Sequence, residues 1–172
     1  MKQKTNIVLI GMPGVGKSTV GVILAKELGL DFVDTDLLIQ KRYGMLLKDL
    51  IAERSVEGFL QAEEAVCAEI DCSHSVIATG GSVIYGPNAM KHLRETGIVV
   101  YLQLPYEVIS SRLASLQLRG VALKPGQDLR DLYEERCPLY EFFADVTVDE
   151  SGLDLEETLV SVKESIQSLS NA

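Results

Sequence analysis

Apolar positions along the chain follow two alternating rhythms. "TNIVLI" (residues 5–10) is a short, β-branched apolar run, the signature of a buried strand. Val20, Ile23, Leu24 and Leu28 then recur at helical spacing until Gly29, a residue suited to close a helix. "DFVDT" (31–35) predicts a second strand. From Asp36 to about Asp71 the periodicity is helical, with breaks near Tyr43-Gly44 and around Ser55 to Gly58. "SVIATGG" (75–81) predicts a third strand ending in paired glycines, and a helix over 87–96 is closed by Gly97. "IVVYLQL" (98–104) is apolar enough for a strand buried on both faces. A helix over 106–115 leads into the irregular "LQLRGVALKPGQD" (116–128), and another helix covers 129–144. "DVTVD" (145–149) predicts the last strand. The final helix opens with Asp154 and Glu157 at capping-box spacing and carries Leu155, Leu159, Val162, Ile166 and Leu169 on one face.

Strands that alternate with helices imply a parallel sheet of five strands with helices on both faces and right-handed crossovers. No repeat, linker or low-complexity segment divides the 172 residues, so residues 1–172 are read as one α/β domain. A chain of this length buries roughly two-thirds of the surface its unfolded form exposes.

Composition narrows the partners. With 47% apolar and 24% charged residues the chain reads as soluble and globular. Its net charge of −9 argues against nucleic acid, which needs a clustered basic face. Anionic ligands would have to be held by local lysines and arginines. Cys67, Cys72 and Cys137 lack metal-finger spacing and read as reduced thiols of a cytoplasmic protein. His74 and His92 are isolated, which speaks against a histidine metal site. The apolar run near the N-terminus is too short for a signal peptide, and no stretch approaches the ~18 apolar residues of a membrane span.

One motif carries chemistry. In "IGMPGVGKST" (10–19) the pattern Gly11-x-x-x-x-Gly16-Lys17-Ser18 follows a predicted strand and opens a predicted helix, the context a phosphate loop needs. Glycines let successive amides turn toward one anion, and the helix N-terminus adds partial positive charge. Gly14, Val15, Gly16, Lys17, Ser18 and Thr19 would cradle ATP, with Lys17 on the β- and γ-phosphates and the Ser18 hydroxyl on Mg²⁺. The Asn-Lys-x-Asp stretch by which GTPases specify guanine is absent. Asp34 and Asp36, two apart, would face the same side of an extended backbone at the carboxyl end of a strand. One of them could accept the proton of an attacking hydroxyl or hold Mg²⁺ through water. Alternatively, Asp36 caps a helix beginning at Leu37.

Taken together these residues resemble shikimate kinases, small members of the nucleoside-monophosphate-kinase-like branch of phosphate-loop proteins. "GMPGVGKSTVG" is similar to that family's loop, "DTD" to its acidic pair, "ATGGS" to its three glycines and "ERCPLY" to its Arg-x-Pro-Leu-Tyr. "SRLASLQLRGVAL" falls in its lid. The resemblance implies a three-layer phosphate-loop sandwich with substrate-binding helices over about 36–71 and a lid over about 116–128. It implies ATP-dependent phosphorylation of shikimate to shikimate 3-phosphate, with Asp36 as base or orienter for the attacked hydroxyl and Asp34 near the acceptor or Mg²⁺. The amides of Gly80 and Gly81 would approach the substrate. Arg119 would neutralise the transferring phosphate, Arg112 would lie along adenine, and Arg136 would pair with the substrate carboxylate. A monomer is expected.

Three departures bear on the acceptor. "GFLQAEE" (58–64) keeps Phe59 and Glu63 at family positions, but Leu60 stands where the family has a carboxylate-clamping arginine. Ser82 replaces the third glycine, and Gly120 replaces a lid proline. Arg54 lies near the same helix start and could substitute for the lost arm. Three readings therefore remain open: a kinase for shikimate, a kinase for another small hydroxylated acceptor, and a nucleotide-binding module without turnover.

Overall fold

The computed structural model describes residues 4–116 and 121–170. Five strands form one parallel sheet: β1 (Asn6–Ile10), β2 (Asp31–Asp34), β3 (Ser75–Ala78), β4 (Gly97–Gln103) and β5 (Val146–Asp149), in the order β2-β3-β1-β4-β5. All five residues of β1 are buried, which requires cover on both sheet faces. Seven helices supply it among the described residues: α1 (Lys17–Leu28), α2 (Thr35–Tyr43), α3 (Leu47–Ala68), α4 (Pro87–Thr96), α5 (Tyr106–Leu116), α6 (Leu129–Phe143) and α7 (Leu155–Ser170). A single turn of 3-10 helix, Val83–Tyr85, was not anticipated.

Local signals set the element ends. Gly29 closes α1 in the left-handed region at φ 67°. Asp154 and Glu157 exchange side-chain-to-backbone hydrogen bonds of 2.9 Å before α7, a formed capping box. The expected break near Ser55 is a kink inside α3, where Ser55 takes φ 65°, ψ 173°. Strand β2 stops at Asp34, a residue earlier than the pattern suggested, because α2 already begins at Thr35.

The main core lies between sheet and helices. A second cluster, built on Ile39, Leu50, Phe59, Ala62 and Val66 of α2 and α3, also includes Ala122. The helices over 36–71 thus carry their own small core, joined there by a residue of the segment read as a lid.

Candidate active site

Three neighbouring strand ends meet on one side of the sheet. β1 runs into the Gly11–Gly16 loop, β2 into Asp34, and β3 into Thr79-Gly80-Gly81. In an open parallel sheet this carboxyl edge is where ligands bind. With α3 and α6 these ends enclose a cavity of about 950 Å³.

At one end lies the phosphate loop. A Cβ on Gly11 would stand 2.6 Å from the Leu102 carbonyl, and Gly16 caps α1 at φ 106°, so both positions call for glycine. No side chain caps α1, which leaves its first-turn amides open to an anion. Lys17 is buried, and its Nζ donates to the carbonyls of Gly11 (2.7 Å) and Met12 (2.9 Å), leaving one of its three N–H donors. Burial pushes its ammonium down to about 8, against the pull of the Asp36 carboxylate. Arg112 donates to the carbonyls of Gly14 and Val15, which ties α5 to the loop. Arg119, and Gly120 beside it, lie outside the described residues.

The acidic pair is arranged differently from the sequence expectation. Asp34, not Asp36, is the N-cap of α2: its Oδ1 accepts from the Asp36 amide at 2.9 Å and its Oδ2 from the Ser18 hydroxyl at 2.7 Å. The two acids do not share an extended segment, because the strand ends at Asp34 and Asp36 sits in the first helical turn. Asp36 is thereby free of capping and reaches the cavity wall. Burial and the Asp34 charge raise its carboxyl to about 6, with Lys17 opposing.

At the other end stands Arg136 of α6, 2% exposed. Its Nη2 donates to the Ala122 carbonyl at 3.2 Å, its guanidinium lies 5.4 Å from the Tyr85 ring centroid, and its Nε has no partner among the described residues. No described acid forms an ion pair with it. The glycine pair makes room between these groups. A Cβ on Gly80 would stand 2.5 Å from Glu63 Oε1 and 3.0 Å from Asp36 Oδ1, and one on Gly81 would stand 3.0 Å from Arg136 Nη1. The Gly80 amide donates to Thr35 Oγ1 at 3.1 Å. The absent Gly80 side chain leaves room for these carboxyl groups.

Two cavity residues had been given no role. Glu63 is 1% exposed, and Ser82 donates to its Oε2 at 2.5 Å. Burial raises the Glu63 carboxyl to about 7 despite that hydrogen bond. The available signal was an acid on the apolar stripe of α3, among Phe59, Ala62, Val66 and Cys67. Arg54 instead stacks over the Tyr43 ring at 4.8 Å and is not among the described residues that wall the cavity. Leu60 packs on the small core of α2 and α3 and is likewise not on that wall.

One end of the cavity is therefore fitted to an oligophosphate, while the other presents an acid and a buried cation to a second small anion. That division defines a phosphate-loop protein of the small-molecule kinase class. Within that class the chain belongs to the shikimate kinase family, whose family model matches residues 13–167. It is 39% identical to a shikimate kinase of Thiobacillus denitrificans over 152 residues, 87% of this chain and 83% of the relative. It is 37% identical to one of Thermodesulfovibrio yellowstonii, covering 96% and 97% of the two chains. Among solved structures, the shikimate kinase from Acinetobacter baumannii in complex with shikimate aligns at a TM-score of 0.83 and 33% identity, over 99% of this chain and 96% of that one.

Proposed function

We propose that this protein transfers the γ-phosphoryl group of ATP to a hydroxyl of shikimate, giving ADP and shikimate 3-phosphate. The observation that carries this reading is Arg136, a buried guanidinium that has no acid ion-pair partner among the described residues and shares one cavity with the phosphate loop. A buried cation is costly unless paired, and a substrate carboxylate supplies the pair. In this reading the α1 amides and the remaining Lys17 N–H hold the β- and γ-phosphates. Asp36, poised by its surroundings near neutrality, accepts the proton of the attacking hydroxyl as the new O–P bond forms and the bond to the β-phosphate oxygen breaks. Arg119 is assigned the charge that develops on the transferring group, and Arg112 the adenine side.

The Ser18 hydroxyl and Asp34 carboxylate, 2.7 Å apart beside the loop, are hard oxygen donors that suit Mg²⁺, an ion bound by few protein oxygens plus phosphates. When bound, it neutralises charge on the β- and γ-phosphates. The working unit in this reading is a monomer. The demand for ATP, with three free cysteines, supports a cytoplasmic setting.

Purified protein with ATP, Mg²⁺ and shikimate should release ADP and yield a phosphomonoester by ³¹P NMR. Arg136→Ala should raise the KM for shikimate by roughly 10- to 150-fold, the worth of a charge-assisted bond. ADP release with a different hydroxylated acid alone would favour another acceptor. Nucleotide binding without any acceptor-dependent turnover would leave a binding module.

A further inference from the structure

We propose that Tyr85, made electron-rich by its hydrogen bond to Glu135, is a positioning residue that holds the Arg136 guanidinium in place while leaving its N–H donors open to the acceptor carboxylate. The proposal rests on the reading above in giving that carboxylate to Arg136. It starts from a cation that is 2% exposed and forms no ion pair among the described residues. Such a charge is costly to bury, and until a substrate arrives another group must offset part of that cost. The neighbouring acid on α6, Glu135, does not face it, because consecutive helical residues point about 100° apart. Glu135 instead accepts the Tyr85 hydroxyl.

Tyr85 spans the gap between the two. It ends the 3-10 turn Val83–Tyr85, whose Val83 and Ile84 are buried and whose Tyr85 amide donates to the Ser82 carbonyl at 3.0 Å. The turn sets the ring beside α6, where the Arg136 Cζ lies 5.4 Å from its centroid, inside the ~6 Å reach of a cation–π contact. A ring face attracts the charge without taking an N–H donor. Among the described residues only the Ala122 carbonyl takes one, from Nη2, out of the five that a guanidinium carries. The Tyr85 hydrogen bond, ahead of Lys124, holds the Glu135 carboxyl below its ordinary range, so the phenol donates to an anion. Donation to an anion shifts electron density into the ring and deepens its negative face. Lys124 Nζ (3.3 Å) and Gln127 Nε2 (3.2 Å) fix Glu135 in turn. Lys124 also lies 5.7 Å from the ring centroid, but its side chain is 55% exposed, and water weakens that contact relative to the one with buried Arg136. The charge of Glu135 thus reaches Arg136 through the ring, whereas a direct ion pair would occupy the donors that the acceptor needs.

The test compares wild-type protein with Tyr85→Leu, Tyr85→Phe, Glu135→Gln and the double variant Tyr85→Phe/Glu135→Gln, on shikimate and on its uncharged methyl ester. Wild type should favour the carboxylate roughly 10- to 150-fold in kcat/KM. Tyr85→Leu should cut that preference roughly 5- to 30-fold, the worth of a cation–π contact away from water. Tyr85→Phe and Glu135→Gln should each cut it by a smaller, similar factor, and the double variant by no more than either, because both break one unit. The loss should fall on the KM for shikimate and spare the KM for ATP. A Tyr85 that only fills space would lower both acceptors alike and leave the preference intact, which overturns the proposal. So do fully additive effects in the double variant. Should Tyr85→Leu fail to fold, judged by circular dichroism, Tyr85→Phe and Glu135→Gln decide. Equal use of shikimate and ester by wild type overturns both the proposal and the role of Arg136. If wild type uses neither, the functional reading fails separately, and proton NMR without acceptor decides. The Arg136 side-chain N–H signals, shifted upfield by the ring in wild type, should then move downfield in Tyr85→Leu, and unmoved signals overturn the proposal.

Discussion

At Asp36 the chain frees one carboxylate by giving the structural work to another. Asp34 holds the first turn of α2 and the Ser18 hydroxyl, so nothing in the local backbone needs the Asp36 side chain. Asp36→Asn should therefore not lower the melting temperature, yet lower kcat by roughly 10²–10⁴, because an amide cannot accept the proton. The KM for ATP should change little. Steady-state kinetics alongside thermal melting checks this, and surviving activity would remove Asp36 from the chemistry. Lys17→Ala should cost at least about 100-fold in turnover with any acceptor, since charge on the β- and γ-phosphates loses its cation. Stability should not fall with it. The lowered value of the buried ammonium shows that its burial costs the native state more than its surroundings return.

Helix α3 is a single run in the chain but two segments in its geometry. Ser55 sits at φ 65°, ψ 173°, a backbone region almost confined to glycine, where other residues store about 1–3 kcal/mol. The kink turns the second half of α3, with Phe59 and Glu63, toward the cavity. The Ser55 hydroxyl partly offsets the strain by accepting from the Gly58 amide, though at a long 3.5 Å. Ser55→Gly removes the strain at the expense of that weak cap, which glycine replaces with only a few tenths of a kcal/mol lost. It should raise the melting temperature by a few degrees, as ~1 kcal/mol does in a domain of this size. Calorimetry showing a lower melting temperature would mean that the cap outweighs the strain.

Across the whole molecule, burial has been turned on acidic groups, and this fixes how stability depends on pH. Glu63 and Glu150 are raised to about 7 and Asp36 to about 6, in each case chiefly by desolvation. A carboxyl raised in the folded state binds its proton more tightly there than in the unfolded chain. Its contribution is complete below the ordinary carboxylate range near 4 and is lost as pH rises through 6 to 7. Lys17 acts in a higher window: lowered to about 8, it favours folding above its ordinary value near 10.5 and loses that contribution as pH falls through 8. The ligand-free protein should therefore melt at a lower temperature at pH 8 than at pH 5. Glu63→Gln should flatten that slope, removing a contribution on the order of 3 kcal/mol from the fully buried group. Melting curves across this range check it, and an unchanged slope would show that Glu63 does not titrate there. The charges facing Glu63 that set this window are Asp36, Arg136 and Lys17, with Ser82 as its hydrogen-bond donor.

The sequence by itself determined what is local in period or spacing. Five strands and their alternation with helices follow from short apolar runs and stretches of period 3.6, and the caps at Gly29 and Asp154 follow from residue chemistry. The phosphate loop was legible because its amides, lysine and hydroxyl are contiguous in the chain. The kink near Ser55 announced itself by small residues in a helical run. Pairing was decided only by the tertiary structure. The order β2-β3-β1-β4-β5 depends on which apolar edges meet, and a continuous apolar run carries no label for its neighbour. Capping falls to Asp34, not to Asp36 as the alternative reading had it, because α2 begins directly after β2, a boundary that short patterns do not resolve. Glu63 and Ser82, 19 positions apart, become one hydrogen-bonded pair, and Arg136 forms no ion pair among the described residues. Whether a buried polar atom is satisfied depends on groups brought from distant segments, and that is a property of the packed molecule rather than of any stretch of its chain.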